Sequence, residues 1–419
     1  MASARTALTF LHTGNPTGLK FIVEHGQSRA LFDFGREHAP GRAPFSIGLE
    51  PRPGRELSDL LRLGEAQAIP GVYAGDAWDG LTSVFISHMH LDHTGLVPYL
   101  GPGVPLYYPE GMEPVRDGAA RSGYLRWRDP AGRGVAAGDS VRLGDMSVRF
   151  IAVDHDVPGA SGFLITTPAA SIAFTGDHRW HGLHPELTER FADEVRGADV
   201  LIQEAVSLGF APLDVEGPPP PDEEEVIRRL QVVTGESPGL VIVNCYGMNR
   251  ERVFGVAAGC AAAGRTLLME PQMAALAGWT GVFDPGSPGS LEPIIANPRG
   301  FCLQLGFESL PALIDIEPPA GSVYVHSGGV PLGPYDPAFP VMEAWVSRFA
   351  LDYQVINTSG HSRPPDIARM VGAVRPRVVL PVHSRAPEQL QVVGVPTFVP
   401  TAGITYDLAA LLLTPGSRT

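Results

Sequence analysis

Short apolar runs that end on a histidine or an aspartate recur along the chain. Each run has the length and composition of a buried β-strand, and the runs are residues 30–32 before Asp33, 81–86 before His88, 148–153 before His155, 171–174 before Asp177 and 377–382 before His383. Strand ends in α/β sheets are favoured positions for ligand sites. We therefore expect these side chains to gather at one sheet edge.

One of these runs is followed by four side chains that can ligate metals, His88, His90, Asp92 and His93. Imidazole and carboxylate together suit Zn²⁺ and similar divalent ions, and no cysteine lies nearby to suggest a closed structural site. The chain has only 13 histidines in 419 residues, so chance clustering is an unsatisfactory explanation. The pattern predicts a metal site. A turn into a short helix is expected at 94–100.

The middle of the chain alternates between strand and helix patterns. A proline-rich and acidic stretch at 217–225 predicts a linker leading into a helix. A strand at 240–244, a helix from Asn249 to Gly264 and a strand at 266–269 follow. This alternation favours a parallel α/β insert. Arg250 and Arg252 could have a functional role or lie on a solvated helix face.

Composition is typical of a globular enzyme. The chain is 44% hydrophobic, which is enough for the cores of two domains. It lacks an apolar run of about 18 residues and a secretory leader, so no membrane association and a cytoplasmic location are expected. Three scattered cysteines indicate reduced thiols. The formal net charge of −14 argues against long-range attraction of a polyanion, although an arginine-rich stretch with aromatic residues at 116–133 could contact a nucleic acid.

The metal motif and its partners resemble the metallo-β-lactamase superfamily. The resemblance implies that His88, His90 and His155 hold one metal, that Asp92, His93 and His383 hold a second, and that Asp177 bridges the two. It also implies that Asp33 orients a ligand from behind. Two divalent ions, zinc first with manganese as the alternative, are then the expected cofactors, and hydrolysis is the expected chemistry.

A second motif, Ser359-Gly360-His361-Ser362, precedes the Pro-x-His at His383. This arrangement resembles the beta-CASP branch, and specifically ribonuclease J-like metallo-hydrolases. The resemblance implies that residues 359–362 bind substrate, and that His361 contacts the scissile phosphate or acts as a general acid. Glu204 would position an active-site histidine. The expected catalytic set is Asp92, Asp177, Glu204 and His361.

The expected fold is α/β, a metallo-β-lactamase αββα sandwich with an inserted parallel α/β beta-CASP domain. The predicted boundaries are 1–205 and 355–419 for the sandwich and 206–354 for the insert. The expected substrate is single-stranded RNA, cleaved at phosphodiester bonds. The region around Glu308 departs from the family's motif for a 5′-monophosphate end. Two alternatives stay open, a metallo-hydrolase of a small ester, lactone or phosphodiester and a catalytically inactive binding protein. A homodimer is also left open.

Overall fold

A computed structural model of the chain describes residues 5–14, 18–37, 39–45, 48–127, 132–209 and 220–413. The chain divides into two compact units. Unit 1 comprises Met1–Glu113, Arg126–Glu216 and Gly360–Thr419, and unit 2 comprises Pro114–Leu125 and Gly217–Ser359. The sequence analysis had assigned 114–125 to the first domain, whereas the structure groups this segment with unit 2. Residues 217–219 of the expected linker, and Arg128 of the arginine-rich stretch, lie outside the described residues.

The strands of the described residues are numbered in chain order. They are β1 (Thr6–His12), β2 (Lys20–His25), β3 (Ser28–Phe32), β4 (Thr82–Phe85), β5 (Leu106–Pro109), β6 (Gly132–Val135), β7 (Ser140–Leu143), β8 (Met146–Ala152), β9 (Ser161–Thr166), β10 (Ser171–Phe174), β11 (Val200–Glu204), β12 (Val241–Cys245), β13 (Thr266–Met269), β14 (Phe301–Gln304), β15 (Val323–Ser327), β16 (Asp352–Val355), β17 (Val378–Val382) and β18 (Thr405–Asp407).

The α-helices of the same residues are numbered likewise. They are α1 (Glu56–Leu63), α2 (Leu91–Thr94), α3 (Glu113–Ser122), α4 (Pro185–Glu194), α5 (Glu223–Glu236), α6 (Arg250–Ala262), α7 (Pro271–Ala277), α8 (Pro288–Ala296), α9 (Leu313–Ile316), α10 (Phe339–Arg348), α11 (Pro364–Val374) and α12 (Leu408–Leu413). Across these ranges, no helix combines the length and the hydrophobicity that a membrane crossing requires.

Unit 1 is a sandwich of two sheets. One sheet has the order β18-β1-β2-β3-β4-β5-β6 and the other β17-β11-β10-β9-β8-β7. Phenylalanines from both sheets meet in the layer between them. Phe21 of β2 lies 5.0 Å from Phe174 of β10, and Phe32 of β3 lies 5.2 Å from Phe163 of β9, in edge-to-face pairs. Such pairs are favoured ring geometries, and the expected sandwich is confirmed.

The second sheet of unit 1 explains why some strands are apolar throughout. Strands β10, β11 and β17 run parallel to one another. One face contributes to the inter-sheet core, and the other packs against α4 and α11. Strands buried on both faces need continuous apolar runs instead of alternation. The same parallel arrangement brings the ends of β10, β11 and β17 to one edge, where Asp177, Glu204 and His383 lie.

Unit 2 contains a five-stranded sheet of order β13-β14-β12-β15-β16, in which every pairing is parallel. Separate apolar clusters cover its two faces, one including α5, α6 and α7 and the other α8, α9 and α10. Helices on both faces are what a parallel sheet requires. The predicted parallel α/β insert is therefore confirmed as a fold class. The boundaries given from sequence stay a prediction.

The sequence had indicated a helix after the metal motif, at 94–100. The structure instead has α2 within the motif, beginning after His90 and ending at Thr94, with a 3₁₀ turn at Val97–Tyr99. Thr94 closes the turn of α2, because its Oγ1 donates to the carbonyl of His90 at 2.8 Å. The short helix lets Asp92 and His93 point to the sheet edge one after the other.

Arg252 is a structural residue of unit 2. It is 3% exposed, and its guanidinium donates to both carboxylate oxygens of Glu223 at 2.8 and 2.7 Å and to the carbonyl of Ser327 at 2.9 Å. Asn249 caps α6 by accepting from the Arg252 backbone N–H. The solvated helix face that the sequence left open for Arg252 does not match this buried network.

We expect Arg252→Met to destabilise unit 2 by about 3–5 kcal/mol, because it leaves the buried Glu223 carboxylate without its partner. The double variant Arg252→Met/Glu223→Met should recover part of the loss. Urea unfolding monitored by circular dichroism measures both. The control is Arg229→Met, which removes a half-exposed partner of Glu225 and should cost at most about 1 kcal/mol. Equal losses for Arg252→Met and the control would contradict this account.

Candidate metal centre

The strand ends of unit 1 bring together all seven side chains that the sequence predicted as metal ligands. Their potential ligand atoms form three groups, and within each group the atoms lie within 4.8 Å of one another. The groups are His88, His90, His155 and Asp177; Asp92, His93 and His383; and Asp177, His361 and His383. Because Asp177 belongs to the first and third groups, it lies at the middle of the arrangement.

In the first group, three imidazole nitrogens converge. His90 Nδ1 lies 3.1 Å from His88 Nε2 and 3.2 Å from His155 Nε2. Asp177 Oδ2 lies 3.5 Å from His88 Nε2. The donors are three nitrogens and one carboxylate oxygen, the set that zinc and related divalent ions accept.

In the second group, two imidazoles face two carboxylates. Asp92 Oδ2 lies 3.4 Å from His93 Nε2 and 3.5 Å from His383 Nε2. Asp177 Oδ2 lies 3.2 Å from His93 Nε2 and 3.3 Å from His383 Nε2. One oxygen of Asp177 therefore approaches nitrogens of both groups, which suits a carboxylate shared by two ions.

The buried carboxylate of Asp177 also indicates that these residues suit divalent ions. Asp177 is 1% exposed, and within the described residues neither of its carboxylate oxygens makes a hydrogen bond of good geometry, nor does His93 Nε2. Burying a carboxylate with unsatisfied oxygens is costly unless a positive group compensates it. Burial alone would raise the pKa of Asp177, but His93 and His383 outweigh it and hold the pKa well below its usual value. A cation facing these atoms would satisfy them.

Asp33 orients the second group from behind. Its carboxylate accepts hydrogen bonds from His93 Nδ1 at 2.8 Å, from the Ser87 backbone N–H at 2.8 Å and from Ser87 Oγ at 3.0 Å. With Nδ1–H donated to Asp33, His93 presents Nε2 to the site. Asp33 adopts a left-handed φ of 57°, which is strained for an aspartate. Its position agrees with the orienting role, which stays a prediction.

Two glycines allow the histidines to come close to the backbone. His155 Nδ1 donates to the carbonyl of Gly360 at 2.6 Å, which leaves its Nε2 for the site. His383 has a left-handed φ of 54°, and its backbone N–H donates to the carbonyl of Thr13 at 2.8 Å. A Cβ on Gly14 would lie 2.9 Å from His383 Cα. Any larger residue at Gly14 would displace His383.

His361 and Glu204 lie beside the metal groups. His361 Nδ1 is 3.7 Å from Glu204 Oε2 and 3.8 Å from Asp177 Oδ2. Burial lowers the pKa of His361, but Asp177 and Glu204 outweigh it and raise the pKa to about 9. Glu204 also accepts from the Ser362 backbone N–H at 3.3 Å. The geometry agrees with Glu204 positioning His361.

The other residues of the second motif have different surroundings. Ser362 is fully buried, and its hydroxyl contacts His178 Nδ1 at 2.9 Å and donates to the His178 carbonyl at 3.0 Å. This makes Ser362 a structural residue more than a substrate contact. Ser359 is exposed and Gly360 is buried beneath the site. The predicted substrate-binding role of 359–362 is thus best supported geometrically at His361.

Sequence reasoning missed a buried ion pair that ties two ligand strands together. Arg179 is fully buried, its Nε donates to Asp154 Oδ1 at 3.3 Å, and its backbone N–H donates to the Asp154 carbonyl at 2.8 Å. Asp154 precedes His155, and Arg179 follows Asp177 by two positions. The sequence carried a signal for this ion pair. Charged residues directly beside predicted ligands at the ends of apolar strands are unusual unless they are paired.

The fold and the grouped ligands define the class of protein, one with a metallo-β-lactamase fold. A family model described as a beta-lactamase superfamily domain matches residues 50–210. Over this segment the chain is therefore similar to that superfamily. A solved structure of a protein of unknown function from Enterococcus faecalis V583 has a TM-score of 0.80 at 26% identity, over 96% of this chain and 100% of that one.

The curated relatives are more specific. Ribonuclease J of Mycobacterium tuberculosis strain H37Rv is 25% identical over 376 residues, covering 80% of this chain and 65% of the relative. Ribonuclease J of Sinorhizobium meliloti is 23% identical over 342 residues, covering 73% of this chain and 58% of the relative. The expected resemblance to ribonuclease J is confirmed. The chain spans less than two thirds of the length of these curated relatives.

We expect the purified protein to bind two zinc ions per chain, and Asp177→Ala to weaken both sites because Asp177 faces both groups. His90→Ala should leave one ion, held by the second group, and Asp92→Ala should leave one, held by the first. Metal analysis after desalting gives the stoichiometry. Zinc at about 100 times the Kd of a site should stabilise the wild type by about 2.7 kcal/mol for each site occupied.

The matched control for these variants is His184→Ala, because the His184 side chain is 53% exposed and belongs to none of the three groups. It should bind zinc as the wild type does. Retention of two ions by Asp177→Ala would show that this carboxylate is not shared.

Proposed function

We propose that this chain is a dinuclear metal-dependent hydrolase of phosphodiester bonds and that it cleaves single-stranded RNA. The observation that carries the proposal is the pair of ligand groups around Asp177, with His361 and Glu204 beside them. The relatives at 23–25% identity are named Ribonuclease J, which supports RNA as the substrate class. Zinc is the proposed ion and manganese the alternative.

The two ions have separate sets of residues in this proposal. His88, His90 and His155 would hold the first ion, and Asp92, His93 and His383 would hold the second. Asp177 faces both sets of residues. When bound, such ions supply Lewis acidity and positive charge at a phosphoryl group. Asp33 fixes the ring of His93 so that Nε2 faces inwards. The Gly360 carbonyl does the same for His155.

His361 is proposed to contact the scissile phosphate or to donate a proton to the leaving oxygen. Its side chain is 22% exposed, while those of Asp177 and Glu204 are 1% and 0% exposed, so it can reach a substrate that they cannot. Glu204 orients the imidazole through Nδ1 and leaves Nε2 for the phosphate. General acids of this kind contribute about 10²–10⁴-fold to rates.

The acidic composition does not decide against RNA. The formal net charge of −14 disfavours long-range attraction of a polyanion. Bound divalent ions are, however, the largest local charges in such a site and reverse the local electrostatics. The proposal therefore predicts that binding of RNA near the centre depends on metal.

The direct test is cleavage of a 5′-labelled single-stranded RNA by purified protein with added Zn²⁺ or Mn²⁺, beside His90→Ala and His184→Ala. We expect cleavage by the wild type and by His184→Ala, and its loss in His90→Ala. Product lengths separate end-directed from internal attack. Bis(p-nitrophenyl) phosphate serves as a small diester. Turnover of that compound without RNA cleavage would reject the RNA substrate and leave a metallo-hydrolase of small diesters.

The role of His361 is tested by His361→Ala and Glu204→Gln. We expect His361→Ala to lower kcat by about 10²–10⁴-fold with zinc stoichiometry unchanged, because His361 acts on substrate. Glu204→Gln keeps the size of the side chain and should lower kcat by a smaller factor. Loss of a zinc ion in His361→Ala would instead identify this histidine as a metal ligand.

A further inference from the structure

Asp156 lies against the first ligand group and has no role so far. Its Oδ1 is 3.3 Å from His155 Nε2 and 3.4 Å from His90 Nε2. The oxygen is buried, and among the described residues no hydrogen bond of good geometry reaches it. The Asp156 side chain as a whole is 22% exposed. A buried carboxylate oxygen aimed between two imidazoles is costly unless it serves them.

Gly360 keeps room for this carboxylate. A Cβ at Gly360 would lie 2.6 Å from Asp156 Cγ and 2.7 and 2.9 Å from its two oxygens, and real Cβ contacts are not that short. The carbonyl of the same glycine accepts from His155 Nδ1 at 2.6 Å. Gly360 therefore fixes one ring through its carbonyl and admits Asp156 through its missing side chain.

The orientation of His90 gives Asp156 its function. His90 turns Nδ1 towards Nε2 of His88 and of His155, at 3.1 and 3.2 Å. An imidazole that ligates a metal through Nδ1 carries its hydrogen on Nε2, and that nitrogen faces Asp156. The distance of 3.4 Å is slightly longer than a formed N–H···O bond, so the carboxylate lies within reach of this nitrogen.

We propose that Asp156 is a positioning residue of the first metal site, which accepts a hydrogen bond from His90 Nε2–H and so holds His90 with Nδ1 towards the ion. The inference rests on the metal-binding part of the proposed function and is independent of RNA cleavage. Carboxylates that orient a ligating histidine typically contribute 10–100-fold to metal affinity. Asp33 has the corresponding place behind His93 in the second group.

The test is the zinc affinity of the first site, measured by competition with a chromophoric chelator for the wild type, Asp156→Ala and Asp156→Asn. We expect Asp156→Ala to lower the affinity for one of the two zinc ions by about 10–100-fold. Asp156→Asn keeps an oxygen that can accept from Nε2–H, so it should recover most of the affinity. The visible spectrum of the cobalt-substituted protein should change in Asp156→Ala and resemble the wild type in Asp156→Asn.

Asp145→Asn is the matched control, because Asp145 is an exposed aspartate of unit 1 at the turn between β7 and β8. It should bind zinc and cobalt as the wild type does. Gly360→Ala is a second, independent variant. It should lower the affinity for the same zinc ion, because its Cβ displaces the Asp156 carboxylate.

Three results would overturn the proposal. Unchanged zinc affinity in Asp156→Ala would show that the carboxylate does not support His90. Equal weakening by Asp156→Ala and Asp156→Asn would show that the negative charge matters and not the hydrogen bond, as for a direct ligand. A wild type that binds no zinc would remove the metal centre itself, whereas zinc binding without RNA cleavage would leave this inference intact and reject only the proposed substrate.

Discussion

The buried carboxylate of Asp177 is the constraint on which the rest of unit 1 depends. Its oxygens face His93, His383 and His88, and in the described residues they lack hydrogen bonds of good geometry. A group of this kind is tolerated only where strong positive charge compensates it. The parallel strands β10, β11 and β17 meet this need by bringing their carboxyl ends to one edge, so that the ligands come from strands far apart in the chain.

The cost of this convergence is visible in the backbone. Asp33 and His383 both adopt left-handed φ values, a conformation that costs a non-glycine residue on the order of 1 kcal/mol or more. The backbone at Gly35 lies so close to the metal motif that a Cβ on this residue would be 1.6 Å from the Asp92 carbonyl oxygen. The stable sandwich beneath the site, with its interlocked phenylalanines, holds these strained positions in place.

Local patterns predicted the ligands because all of them follow short apolar runs, four of them the same run, and a strand end can be inferred from a few neighbouring residues. The contacts that orient the ligands were harder to predict, since they join residues distant in sequence. Ser362 donates its backbone N–H to Glu204, 158 positions away. In unit 2, the backbone N–H of Gly306 is bonded to Glu270 at 3.2 Å. No local pattern pairs these residues.

The acidic character of the site bears on how a phosphate could approach it. Asp92, Asp156, Asp177 and Glu204 contribute four carboxylates within one small region of a chain that carries a formal charge of −14. Without cations, this region would repel a phosphodiester by like charge. Two divalent ions would offset these four negative charges and present cations to the phosphate. On the proposed function, metal loading must therefore precede productive substrate binding. Residues that hold the ions, and Asp156, which orients one of their ligands, then influence substrate affinity as well as the rate of cleavage.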